Sequence, residues 1–71
     1  MVNLKLLNDK VNNSGLKLYA IAEKSGIQQP TLARRLKGLG EVTASEIMGL
    51  CKALDINKQE REEIFFATKV D

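Results

Sequence analysis

Turn-forming residues interrupt this chain before any regular segment grows long. Asn12-Asn13-Ser14-Gly15, Gly26, and Gly38 with Gly40 are stop signals, because asparagine and glycine accept backbone conformations that end helices. Between these breaks apolar residues recur at three- and four-residue spacing, and strand-like alternation is poor. The chain is thereby restricted to short helices that must pack on one another. Five segments fit, at about 4–12, 18–24, 29–37, 44–54 and 58–67.

Each segment carries local reasons to be helical. Leu4, Leu7 and Val11 form a stripe in the first. Leu18, Ile21, Ala22 and Ser25 share a face in the second, which Gly26 closes. Pro30 lies in the first turn of the third, where a missing N–H costs little, and Leu32 and Leu36 face inward. Thr43 and Glu46 have capping-box spacing before the Ile47, Leu50, Cys51 and Leu54 stripe. Asn57 caps the fifth, and Glu60, Glu62 and Glu63 suit the positive end of its dipole. Cys51, on its stripe, reads as core.

Composition removes whole classes of function. Seventy-one residues make one domain, 1–71, with a single small core. Hydrophobic residues are 44% and aromatics 4%, with no Trp, so that core is aliphatic. The chain has no His and one Cys. Histidine-based zinc sites, proton shuttles and Ser-His triads are excluded, as are an internal disulfide and a cysteine-rich metal site. Cys51, Ser14, Ser25 and Ser45 have no histidine base, and Asp9, Glu23 and Glu41 form no evident pair. The chain is expected to be no enzyme and to need no cofactor or metal. No apolar run approaches the ~18–20 residues of a membrane span, and no signal peptide is evident. The expectation is a cytoplasmic binding module.

Net charge is only +2, but it is unevenly spread. Residues 1–40 hold Lys5, Lys10, Lys17, Lys24, Arg34, Arg35 and Lys37 against Asp9 and Glu23, a balance of +5. Residues 41–71 carry four cations against seven acids, a balance of −3. A basic half favours a polyanionic partner, with the acidic half facing away from it.

The second and third segments meet across Ile21-Ala22-Glu23-Lys24-Ser25-Gly26-Ile27-Gln28-Gln29-Pro30-Thr31-Leu32. Ala22 is small enough for close helix approach, Gly26 turns the chain, Ile27 plugs the junction and Leu32 anchors the next helix. This is the outline of a helix-turn-helix. With Leu32-Ala33-Arg34-Arg35-Leu36-Lys37-Gly38, Val42-Thr43-Ala44-Ser45-Glu46-Ile47 and Glu63-Ile64-Phe65-Phe66, the chain resembles the Cro/CI-like phage repressor family from about Leu4 to Phe66. The resemblance implies an all-α fold: a compact five-helix bundle of the lambda-repressor-like kind. It also implies a sequence-specific regulator of transcription, of phage or prophage type, that binds operator DNA in the host cytoplasm, often as a homodimer. The chain departs from many family members in four places. Lys17 and Leu18 stand where a Ser or Thr cap and a Gln are usual, Ser25 replaces an apolar residue, Gln28 replaces a Ser/Thr cap, and Arg35 replaces an apolar residue.

A recognition helix over about 28–37 would lie in the major groove with its first turns on base edges. Gln suits adenine and Arg suits guanine, so Gln28, Gln29, Thr31, Arg34 and Arg35 are the candidate base readers. The Gln pair also reads as ordinary solvated surface. Lys37, Lys17 and Tyr19 are candidate phosphate contacts, the last two aided by a helix N-terminus. Phe65 and Phe66 point apart on a helix, so one is expected in the core and the other at a dimer or partner contact. The alternative function is an antirepressor, a module that binds a partner repressor through its acidic C-terminal part and one of these phenylalanines.

Overall fold

The computed structural model describes residues 2–67. Its elements are α1 (Leu4–Asn13), α2 (Leu18–Ser25), α3 (Gln29–Leu36), α4 (Ala44–Ala53) and α5 (Lys58–Phe65). No strand occurs among the described residues. The all-α, five-helix expectation holds, with boundaries shifted by a residue or two. Helices of eight to ten residues are marginal alone in water, so tertiary packing holds them.

That packing is aliphatic. Leu7, Ile21, Leu32 and Leu50 are fully buried, one each from α1, α2, α3 and α4. Ile27, Leu54, Ile56, Ile64 and Phe65 complete the buried set with Ala22. Burying one such large side chain stabilises by roughly 1.5–3 kcal/mol. The Cys51 side chain packs against this core, and burial pushes its thiol pKa up against a smaller lowering by Arg61.

Capping follows the spacing. Thr43 and Glu46 form a complete capping box, and so do Asn57 and Glu60. Asn3 caps α1 by accepting from the Leu6 N–H, and its own N–H donates to the Ile64 carbonyl at 2.6 Å. The start of α1 is thus tied to the end of α5. Lys10 and Glu60 join the same two helices through a 2.6 Å ion pair.

One contact was not legible as a contact. Gly49 sits inside α4, and a Cβ there would overlap the Ser25 carbonyl oxygen at the end of α2. Glycine in a helix interior costs about 1 kcal/mol relative to alanine, so an exposed Gly→Ala change would stabilise. Here the opposite is expected. Gly49→Ala should lower stability by about 1–3 kcal/mol through overpacking, read as a fall in the urea midpoint at unchanged m-value. A stabilised variant would show that α2 and α4 can separate at no cost.

Candidate nucleic-acid interface

The helix pair α2–α3 is joined by Gly26-Ile27-Gln28. Gly26 closes α2 in the left-handed conformation, with φ of 76°, and its N–H donates to the Ala22 carbonyl at 3.0 Å. A Cβ at Gly26 would meet nothing within 4 Å, so backbone conformation alone demands glycine there. Ser25 serves the turn: its Oγ donates to the Ala22 carbonyl and accepts from the Ile27 N–H. Ile27 is buried beneath the turn.

The far end of α3 is closed as firmly. The Leu39 N–H donates to the Arg34 carbonyl and the Gly38 N–H to the Arg35 carbonyl, each at 3.0 Å. That pair of bonds around a positive-φ glycine is a Schellman closure. Asn8 of α1 donates through Nδ2 to the next free carbonyl, Leu36, at 3.0 Å. Gly38 is also in close contact with Leu4, which a Cβ would displace. The helix α3 is therefore held at both ends and anchored at its middle by Leu32.

The candidate base readers divide. Gln28 and Gln29 are exposed at the start of α3, and Arg34 is exposed one and a half turns on. Thr31 is half-buried, and its Oγ1 accepts from Arg34 Nη2 at 3.2 Å. Thr31 and Arg34 share one side of α3, and Gln28 and Gln29 are exposed at its N-terminal end. Arg35 faces elsewhere. Its Nε donates to Glu46 Oε1 at 3.0 Å and its Nη1 to the Leu39 carbonyl at 3.0 Å. Its side chain is only 17% exposed, and that of Glu46 15%.

Lys17, Tyr19 and Lys37 are all exposed, Tyr19 at 61%. Asn3, Thr43 and Asn57 cap α1, α4 and α5, but neither Lys17 nor Gln28 caps its helix with a side chain. The first turns of α2 and α3 keep their N–H groups uncapped by side chains.

Among the described residues the ion pairs are Lys5–Asp9, Lys10–Glu60 and Arg35–Glu46. Three of the seven cations in the basic half are thus neutralised. The remaining four, Lys17, Lys24, Arg34 and Lys37, have no carboxylate partner among the described residues, and all belong to the α2–α3 unit. Glu23 is the one acid between Lys17 and Lys37. Four cations against Glu23 leave a balance of +3 on this one helix pair.

Phe65 is buried and Phe66 is 51% exposed. Phe66 borders a groove of about 480 Å³ lined by Val2, Leu4, Val42, Ile47 and Phe65 and also by Arg35 and Glu41.

A short, rigid, cation-bearing helix presented by a tight turn from a preceding helix is the architecture of a helix-turn-helix DNA-binding domain. A family model for the Cro/C1-type HTH DNA-binding domain matches residues 7–60, and the chain belongs to that family. No curated protein and no solved structure matches it. Among the described residues no helix is long and apolar enough to cross a membrane, and no three His, Cys, Asp or Glu side chains group to hold a metal ion.

Two carboxylates that brace this frame ionise more readily than usual. For Glu46 burial pulls the pKa up, but the Thr43 N–H and the bonds and charge of Arg35 outweigh it. For Glu60 the hydrogen bond from Lys10, followed by the Asn57 N–H, holds the pKa down. The folded chain consequently binds fewer protons than the unfolded chain in mild acid. The stability they contribute is complete above the ordinary Glu pKa of about 4.3 and is lost as pH falls through the lower folded values. Thermal unfolding followed by circular dichroism should show Tm falling below about pH 4.3. Glu46→Gln should reduce that slope, and an unchanged slope would contradict the assignment.

Proposed function

We propose that the chain is a sequence-specific regulator of transcription that reads double-stranded DNA through α3 in the major groove. The observation that carries this reading is the set of unpartnered cations on α2–α3 beside the exposed Gln28, Gln29 and Arg34. Gln28, Gln29, Thr31 and Arg34 supply donors and acceptors for base edges, each bidentate contact discriminating by about 1–3 kcal/mol. Lys37, Lys17 and Tyr19 meet phosphates on either side, and the uncapped N-terminus of α2 offers its N–H groups to the same backbone. The domain comprises residues 1–71 and works by binding, without catalysis or cofactor, in the cytoplasm of a bacterial host.

The regulator is of phage or prophage type and acts as a homodimer on operator half-sites about one helical turn apart. Half-exposed Phe66 beside a groove of mixed apolar and charged lining supports a protein contact on that side of the molecule. The same feature favours the second reading, an antirepressor that docks a partner repressor there.

Selection from a random duplex pool at physiological salt separates these readings. Enrichment of an inverted repeat is the expected result for a dimeric regulator, and a single half-site would mean monomeric recognition. No enrichment from a folded sample would favour the antirepressor. On the selected duplex, Arg34→Ala should weaken binding by about 1–3 kcal/mol and relax preference at one base pair. Lys37→Ala should weaken all duplexes alike and lower the salt slope by about one. Unchanged affinity and preference in Arg34→Ala would remove α3 as the reading element.

A further inference from the structure

The tie between α3 and α4 is the most withdrawn from water of the three ion pairs among the described residues. Lys5–Asp9 lies within one helix, with side chains 84% and 48% exposed. Arg35–Glu46 crosses from the C-terminal turn of α3 to the first turn of α4, with both side chains largely withdrawn from water. Each partner also holds backbone. Arg35 donates to the Leu39 carbonyl, and Glu46 Oε1 accepts from the Thr43 N–H at 3.0 Å. Glu46 Oε2 lies 3.5 Å from Arg35 Nη2. One guanidinium on the last turn of α3 thus holds the Leu39 carbonyl of the connecting segment and the Glu46 carboxylate at the start of α4.

The connecting segment is shaped to admit it. Gly40 has φ of 74°, and a Cβ there would collide with Arg35 Nη1. A planar fork with several fixed donors can hold a carboxylate and a carbonyl at once, whereas an ammonium cannot match that geometry. On α3, Arg35 follows Arg34, whose side chain is exposed on the outer side of the helix.

We propose that Arg35 and Glu46 form a positioning clamp that sets the pose of the recognition helix α3 against α4, and that Arg35 reads no base. This rests on the reading of α3 as the DNA-contacting helix. The clamp spends a cation of the recognition helix on internal geometry. It also places an ionised carboxylate near the DNA-facing side, where electrostatics alone would disfavour it.

That cost makes the test sharp in sign. Glu46→Gln keeps a capping-box residue but removes the charge that binds Arg35. If Arg35 were a base or phosphate contact, releasing it from Glu46 and deleting a negative charge would tighten DNA binding. If the clamp positions α3, operator affinity should fall by roughly 3- to 30-fold. Arg35→Gln should fall by a similar factor, and Arg35→Lys should recover little of it. The double variant Arg35→Gln/Glu46→Gln should be no weaker than either single, since both break one unit. The ranking of bases at every operator position should stay that of the wild type.

The experiment measures operator affinity and base preference for the wild type and these variants, at a temperature where all are folded. Hydrogen exchange of the Gly38–Thr43 amides is followed in parallel, and clamp variants should speed it. Ile64→Val, destabilised in the core away from α3, is the control and should keep operator affinity. Tighter binding in Glu46→Gln, or a changed base preference in Arg35→Gln, would overturn the clamp and return Arg35 to the reading face. Loss of affinity in Ile64→Val equal to that of the clamp variants would also overturn it, by reducing the effect to stability. A wild-type chain that selects no duplex would instead overturn the DNA reading itself, and the clamp's role with it.

Discussion

The rest of the structure depends on how closely α4 lies against the end of α2. Gly49 brings the α4 backbone onto the Ser25 carbonyl, and no other residue type leaves that space free. Once α4 is there, Leu50 reaches the center of the core with Leu7, Ile21 and Leu32. The turn at Gly26 then leaves α2 in the only direction that lets Ile27 and Leu32 join the same core. The orientation of α3 follows from this packing through its own Leu32, and from the contacts that hold its C-terminal end, Asn8 on the Leu36 carbonyl and Arg35 on Glu46.

Stability and function are separated by helix rather than by residue class. Helices α1, α4 and α5 are capped by side chains, and α1 and α5 are joined by Lys10–Glu60 and by the Asn3–Ile64 backbone bond. Lys5 and Asp9, Lys10 and Glu60, and Glu46 with Arg35 are engaged there in ion pairs. Helices α2 and α3 have no side-chain caps, and four cations on and around them have no carboxylate partner among the described residues. A polyanion supplies what those groups lack: negative charge for the cations and acceptors for the uncapped N–H groups. Most of the acid lies on the frame, whereas Lys17, Lys24, Arg34 and Lys37 on the α2–α3 unit stand against Glu23 alone.

Much of this was legible because local rules and tertiary packing agree. Thr43 with Glu46 and Asn57 with Glu60 announce two helix starts by spacing alone, and both form complete boxes. Gly26 announces the turn, and Leu32 the anchor. The adjacent Phe65 and Phe66 had to diverge, and one is buried while the other is exposed. Other features had weak signals. Asp55 ends α4 at a positive φ of 53°, a role that glycine or asparagine more often marks. Asn8 reads as one more polar residue on α1, yet it closes the last carbonyl of α3 across 28 positions of sequence. Gly49 inside a helical stripe was the visible anomaly, and a glycine in a helix interior signals close approach when nothing else explains it.

The sequence by itself determined the helices, their starts, the turn between α2 and α3, and the family, because these depend on residues within a few positions of one another. Helix periodicity also put Leu7, Ile21, Leu32, Leu50 and Leu54 in the core, while Leu4, Val11, Leu36 and Ile47 of the same stripes are only half-buried. Tertiary structure alone decided which cations are free. Lys10 and Lys17 look alike in sequence, as do Arg34 and Arg35, but Glu60 and Glu46 arrive from distant helices to engage one of each pair. A charge's availability depends on what the fold brings within about 4 Å of it, and spacing along one helix does not encode that distance.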